Sequence, residues 1–164
     1  MEVRVLAVRD TMNNTSGHAC RVHVLAVSPF ESDHTSLSHI FGHTAWEFDS
    51  ARTLQEASVK LLNPVSLVSP LVLCDEVLPD GSWKDMLLLL QKRPDPNYLI
   101  VTSQMADDRL WAEVLNLGAY DVLAKPFHST EVFRTIGLAW RQWTSTRKSV
   151  GRATTGPLMA GAVA

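Results

Sequence analysis

Five short apolar runs alternate with five amphipathic segments between residues 21 and 143, and this alternation limits the possible folds more than any other feature. The apolar runs are RVHVLAV (21–27), AWEFDSA (45–51), SPLVLCD (69–75), YLIVTS (98–103) and YDVLA (120–124). Such alternation predicts a parallel sheet, because right-handed crossovers place helices on both of its faces. The predicted fold class is therefore α/β, a doubly wound five-stranded parallel sheet with helices on both faces.

Capping residues indicate where the helices begin. Ser32 or Asp33 can cap the first helix, which runs to about Phe41, and Thr53 can cap the second. Ser82, near the end of the loop EVLPDGSW (76–83), can begin the third helix. The last predicted helix, STEVFRTIGLAWRQW, ends at residue 143.

The chain of 164 residues is long enough for one core with modest tails. Residues 1–20 form a predicted lead segment and linker, 21–144 the domain, and 145–164 a flexible tail rich in Thr, Ser and Gly. The word VLAV occurs at 5–8 and again at 24–27, and the second copy is taken as the first strand because a helix follows it closely.

Composition argues against several classes of protein. The formal net charge is -2, so there is no general attraction to nucleic acid or to an anionic membrane. The two cysteines make neither a disulfide framework nor a four-ligand metal site, and a reducing cytoplasm is the expected location. No apolar stretch approaches the ~20 residues that cross a bilayer.

Polar side chains follow three of the predicted strands. Asp75 comes after LVLC, Thr102 after LIV, and Lys125 after VLA. The carboxyl ends of parallel strands lie along one edge, where a carboxylate could accept a phosphoryl group while a hydroxyl and an ammonium bind its oxygens.

With Pro79 four places after Asp75, with GAYD at 118–121 and with KPF at 125–127, the sequence resembles a response-regulator receiver domain over about residues 22–143. The resemblance implies a flavodoxin-like fold and a role in two-component phosphorelay signal transduction. It implies that Asp75 accepts phosphate from the histidine of a kinase or phosphotransfer protein. It also implies that Thr102 and Lys125 contact the phosphoryl group.

The resemblance fails just after the first strand, where receivers usually carry an acidic pair that holds Mg²⁺. Ser28 and Pro29 stand at those positions. Mg²⁺ is usually held through one or two carboxylates, so Asp75 alone makes a poor anchor and no metal ligand is assigned. Glu31 or Asp33 is the alternative source of a carboxylate for weak Mg²⁺ binding, although the start of a helix would more naturally use both for capping and for compensating the helix dipole.

Two aromatic positions leave alternatives open. Val122 stands where many receivers have the Tyr or Phe that turns inward on activation. Tyr120 lies on the same strand face if period two holds, so it either does a related job or is simply a packed aromatic residue. Trp83 either covers the phosphate edge or packs in the core.

Output by protein contact is expected through the last two helices and the fifth strand, including possible homodimerisation. Trp111, Trp140 and Trp143 are candidate anchors there, with helix core as the alternative role. A binding module of the same fold that never receives phosphate is the second hypothesis. An enzyme is the least favoured, because the strand ends lack a Gly-rich phosphate loop, a nucleophile–base pair and a metal cluster.

Overall fold

The computed structural model describes residues 21–62 and 71–153, so the predicted lead segment 1–20 lies outside the described residues. Its main sheet is built from five strands: β1 (His23–Val27), β2 (Glu47–Ala51), β3 (Leu71–Asp75), β6 (Tyr98–Ser103) and β7 (Asp121–Ala124). These strands are all parallel and lie in the order β2-β1-β3-β6-β7. The predicted fold class is confirmed.

A small antiparallel hairpin that the sequence analysis did not predict follows β3. It pairs β4 (Val77–Leu78) with β5 (Gly81–Ser82). Between them, the Asp80 carboxylate accepts hydrogen bonds from the backbone amides of Leu54 and Gln55, at 2.7 and 2.9 Å. The hairpin is thereby tied to the start of the second helix.

The five helices are α1 (Glu31–Phe41), α2 (Leu54–Leu62), α3 (Trp83–Gln91), α4 (Asp108–Leu117) and α5 (Ser129–Ala153). Thr53 caps α2 by accepting from the Glu56 amide at 3.1 Å, and Ser82 begins α3 with a capping box, as predicted. The prediction for α1 was wrong, because its N-cap position is Phe30 and no side chain caps it. Within the described ranges, no helix has the length and apolarity needed to cross a membrane.

The last helix is longer than predicted. It continues ten residues past Trp143 to Ala153 and so includes residues 145–153 of the segment predicted as a tail, while 154–164 lie outside the described residues. Hydroxyl groups support the extension, since Thr146 and Ser149 donate to the carbonyl oxygens of Gln142 and Ser145 one turn back. Composition rich in Thr and Ser therefore did not end the helix.

The core has two parts, one on each face of the sheet. One part packs the sheet against α2, α3 and α4, and the other packs it against α1 and α5. Strand residues alternate between them: in β3, Cys74 belongs to the first part and Leu73 to the second. This alternation decides which helices cover each side chain at the strand ends.

Candidate functional site

The three polar residues predicted at strand ends do lie at one edge of the sheet. Asp75 is paired in register with Thr102, which is paired in turn with Leu123, two residues before Lys125. Leu73 and Leu123 belong to the part of the core that α1 and α5 cover. By the alternation of side chains, Asp75 projects toward the same helices. Lys125, the residue after β7, contacts both Asp75 and Asp33 of α1, so the first turn of α1 lies over the site.

A buried ion pair joins two of these residues. The Lys125 Nζ atom lies 2.8 Å from Asp75 Oδ1, and the two side chains are 6% and 8% exposed. This distance confirms the proximity expected from their positions after parallel strands. The other oxygen of Asp75 accepts no hydrogen bond from any residue that the structure describes.

Asp33 is a further member of the site. Its Oδ2 atom lies 2.6 Å from Lys125 Nζ and accepts a hydrogen bond of 2.6 Å from the Ser28 hydroxyl. It lies in the first turn of α1 and is buried, so it neither caps the helix nor faces solvent. Sequence reasoning named it only as a cap or a metal ligand. The one signal for a buried role was a carboxylate close after a strand end.

A second polar group beside Asp75 ties β3 to the loop after β6. The Ser103 hydroxyl donates to Glu76 Oε2 at 2.8 Å and accepts from the Met105 amide at 3.0 Å. The Glu76 amide donates to the carbonyl oxygen of Thr102 at 3.1 Å. Among the described residues, the Thr102 hydroxyl has no hydrogen-bond partner, and the residue is 3% exposed. Neither Ser103 nor Glu76 was identified from the sequence.

A cavity of about 800 Å³ opens over this edge. The residues lining it include Pro29, Phe30, Asp75, Ser103, Arg109 and Lys125. The Phe30 ring is half exposed, and its centroid lies 5.1 Å from Lys125 Nζ. A group entering the cavity can therefore reach Asp75, whose remaining carboxylate oxygen is not held by a donor from residues 21–62 or 71–153.

Cys74 does not contribute to this chemistry. It is fully buried with the opposite part of the core, and burial, together with the neighbouring Asp75 charge, raises the pKa of its thiol. The thiolate form that would act as a nucleophile is therefore disfavoured.

No protein-family model matches this chain, and no curated protein sequence matches it. Solved structures do match. The beryllofluoride-activated receiver domain dimer of NtrC4 is 30% identical, over 74% of this chain and 98% of that domain, with a TM-score of 0.64. The chain belongs to the receiver-domain family of response regulators.

Other receivers share the fold at lower identity. The signal receiver domain of an HD domain-containing protein from Pseudomonas fluorescens Pf-5 is 24% identical over 83% of this chain and 98% of that one, with a TM-score of 0.69. The chemotaxis response regulator CheY4 of Vibrio cholerae is 18% identical over 73% of this chain and 98% of that one, with a TM-score of 0.65. These two matches concern the fold, whereas membership of the receiver-domain family makes this chain a two-component signalling domain.

The residues of this receiver do not fit the Mg²⁺ ion that the family implies. Positions 28 and 29 supply no carboxylate. Asp33 and Asp75 are both bound to Lys125, and Glu76 is bound to Ser103. Mg²⁺ needs near-octahedral oxygen ligands, whereas no group of three potential metal ligands occurs in residues 21–62 and 71–153.

The aromatic alternatives are now decided. Val122 packs with the part of the core under α2–α4, but Tyr120 precedes β7 and packs with the other part, its ring centroid 5.3 Å from that of Tyr98. The expectation that the two share a face was wrong, because period two does not extend beyond the strand. Trp83 is a core residue, only 2% exposed.

The three candidate anchor tryptophans of this receiver differ in exposure. Trp111 on α4 is 49% exposed, and its indole N–H donates to Asp121 Oδ1 of β7 at 3.2 Å. Trp143 is 5% exposed and donates to the Pro96 carbonyl oxygen at 3.0 Å, so it has the core role. Trp140 is partly buried and stacks on Trp143 at 5.0 Å. Of the three, Trp111 is the accessible one.

Proposed function

We propose that this receiver is phosphorylated on Asp75 by a histidine kinase or a phosphotransfer protein, and that it acts as an atypical response regulator. The observation that supports this most directly is the arrangement of the Asp75 carboxylate. Lys125 holds one of its oxygens at 2.8 Å, the other has no partner in the described structure, and Asp75 lines an open cavity. The contact with Lys125 thus orients the Asp75 carboxylate and leaves its second oxygen free to react.

The transfer step follows from this geometry. The uncommitted oxygen of Asp75 attacks phosphorus as the phosphorus–nitrogen bond to the donor histidine breaks, and the departing nitrogen keeps the bonding electrons. The Lys125 ammonium and the Thr102 hydroxyl bind phosphoryl oxygens and offset their charge. The phosphoryl group is passed on as a signal, so we infer a signalling module rather than an enzyme acting on a diffusible substrate.

Labelling with a small phosphodonor tests the acceptor. Acetyl phosphate carrying labelled phosphorus should label the wild-type chain, and Asp75→Asn should abolish the label. Asp49→Asn is the matched control, since this carboxylate is also bound to a lysine, at 2.6 Å from Lys60, but lies on β2 outside the cavity. A label that survives Asp75→Asn would refute the assignment.

A second candidate function has its own support. Lys125 is already bound by two carboxylates, and the acidic pair is replaced by Ser28 and Pro29, which favours a module of the same fold that works without phosphate. Absence of any label, with the kinase or with acetyl phosphate, would favour this function over phosphorelay.

We further propose output by protein contact through α4, β7 and α5, including contact between two copies of this chain. Trp111 and Leu115 lie one turn apart on α4 and are 49% and 39% exposed. The matched NtrC4 receiver was solved as a beryllofluoride-activated dimer. In sedimentation experiments run with and without beryllofluoride, the wild-type chain should associate with itself. Trp111→Ala and Leu115→Ala should each weaken this self-association. Leu88→Ala, an exposed leucine on α3, is the control and should change nothing.

A further inference from the structure

Lys125 is bound between two carboxylates that come from different elements. Its Nζ atom lies 2.6 Å from Asp33 Oδ2 of α1 and 2.8 Å from Asp75 Oδ1 of β3. The three side chains are 6%, 11% and 8% exposed. Two carboxylates buried this close together repel each other unless a cation separates them. The ammonium is that cation.

We propose that Lys125, held in place by Asp33, occupies the position of a divalent cation, so that this receiver site excludes Mg²⁺ in its native form. Asp33 is a positioning residue here, because it acts on Asp75 through Lys125. The proposal concerns what occupies the site and does not require Asp75 to accept phosphate. Metal binding and phosphoryl labelling can therefore fail independently.

The contacts around the ammonium explain why a metal ion would not displace it. Ser28 donates to the same oxygen of Asp33 that binds Lys125, and the Phe30 ring lies 5.1 Å from Nζ on the open side. A Mg²⁺ ion at this position would have to break both carboxylate contacts of Lys125 and give up its own tightly held water. It would also leave a buried ammonium without a partner beside a doubly charged ion.

The same geometry implies that removing the ammonium creates a cation site. In Lys125→Met, the Asp33 and Asp75 carboxylates keep their places on α1 and β3 and face each other with no counter-ion. Two converging carboxylates are the ligands through which proteins usually hold Mg²⁺. Binding of metal to the folded state would also stabilise the variant by mass action.

Thermal unfolding with increasing MgCl₂ or MnCl₂, at constant ionic strength, tests the proposal on the full chain. The melting temperature of the wild type should not change, whereas that of Lys125→Met should rise with a saturable dependence on metal. Adding Asp33→Asn to Lys125→Met should weaken the apparent affinity by more than about 10-fold, the loss that even an outer-shell partner causes. Lys60→Met, which removes an ion-paired lysine on α2, is the control and should gain no metal response.

Saturable Mg²⁺ binding by the wild type, as tight as that of Lys125→Met, would overturn the proposal. So would a folded Lys125→Met chain that shows no response to either metal. If Lys125→Met is unfolded without metal, Lys125→Gln serves as the second variant, because its amide can still donate to one carboxylate. If both variants are unfolded, folding on addition of Mg²⁺ supports the proposal, and failure to fold at saturating Mg²⁺ contradicts it.

Discussion

At the scale of single residues, the site carries one more negative than positive group. Asp33 and Asp75 share the ammonium of Lys125. Removing either carboxylate therefore leaves a balanced pair, whereas removing the lysine leaves two buried carboxylates facing each other. From the sequence alone, Asp75→Ala would be expected to leave Lys125 without a partner. The structure supplies a second partner and so changes which substitution should be most harmful.

We expect Lys125→Met to lower the free energy of unfolding by about 3–5 kcal/mol, the usual effect of removing one partner of a buried ion pair. Asp75→Ala should cost only about 1–3 kcal/mol because Lys125 keeps Asp33. Asp75→Asn should cost less than Asp75→Ala, since its amide can still accept a hydrogen bond. Urea denaturation of the three variants in metal-free buffer gives the ranking.

Double variants separate the ion pair from simple loss of packing. Adding Asp75→Ala to Lys125→Met removes one of the two facing carboxylates and should recover part of the lost stability. The double variant Asp33→Ala with Asp75→Ala should lose more stability than the sum of the losses of the two single variants, because it leaves the Lys125 ammonium without either carboxylate partner. Additive costs in both pairs would show that the three groups do not share one site.

At the scale of elements, the hairpin after β3 is joined to α2 through Asp80. Its carboxylate accepts from the amides of Gln55 and Leu54, and these hydrogen bonds hold the pKa of Asp80 below its ordinary value. The carboxylate also sits at the amino end of α2, where a negative charge is favoured. The loop that begins at the proposed acceptor is thus tied to a helix on the opposite face from α1.

Asp80→Asn should destabilise the chain at neutral pH, because the amide is a weaker acceptor and carries no charge. Because the pKa of Asp80 is lower in the folded chain than its ordinary value of 3.8, the Asp80 carboxylate stabilises the fold fully at pH values above 3.8. This stabilisation is lost as the pH falls through the lower pKa of the folded state. The stability difference between wild type and Asp80→Asn should therefore be constant from pH 7 to 5 and shrink in stronger acid. A gap that persists unchanged at the lowest pH where both chains remain folded would contradict this account.

The main elements could be predicted because each carries a local signal. Apolar runs bounded by turn residues identify the five strands, and Thr53 and Ser82 identify the starts of two helices. The hairpin was missed because strands of two residues have no period. The end of α5 was missed because its Thr and Ser residues resemble a linker, although their hydroxyls bond back to the helix.

The site was predictable only where strand order determines it. Asp75, Thr102 and Lys125 each end an apolar run, so a parallel sheet brings them to one edge. Asp33 is 92 residues from Lys125 in the chain, and its contact depends on how α1 packs over the sheet. No spacing rule links two such positions.

At the scale of the whole molecule, the proposed acceptor site and the proposed output face share elements. Ser103 at the end of β6 bonds to Glu76 beside the acceptor, and the loop after Ser103 leads into α4. Trp111 of α4 bonds to Asp121 at the start of β7, the strand that Lys125 follows. The proposed acceptor and the α4–β7 surface are thus joined by the loop from Ser103 to α4 and by β7, and neither connection depends on an aromatic side chain at Val122.

Trp143 is the last buried residue of α5 in residues 129–149, and residues 145–149 are exposed, with the Arg147 guanidinium 5.1 Å from the centroid of the Trp143 ring. Among the described residues, a chain that ends at Thr144 loses exposed groups and the contact of Arg147 with Trp143, so we expect its free energy of unfolding to lie within about 1 kcal/mol of that of the full chain. Trp143→Ala should cost about 3–5 kcal/mol, because it leaves a cavity under α5 and the Pro96 carbonyl without its donor. Trp111→Ala is the matched control, since this tryptophan is half exposed, and it should cost no more than about 1 kcal/mol. Urea denaturation of the four chains checks the order. A truncation as costly as Trp143→Ala would show that residues 145–164 pack on the domain.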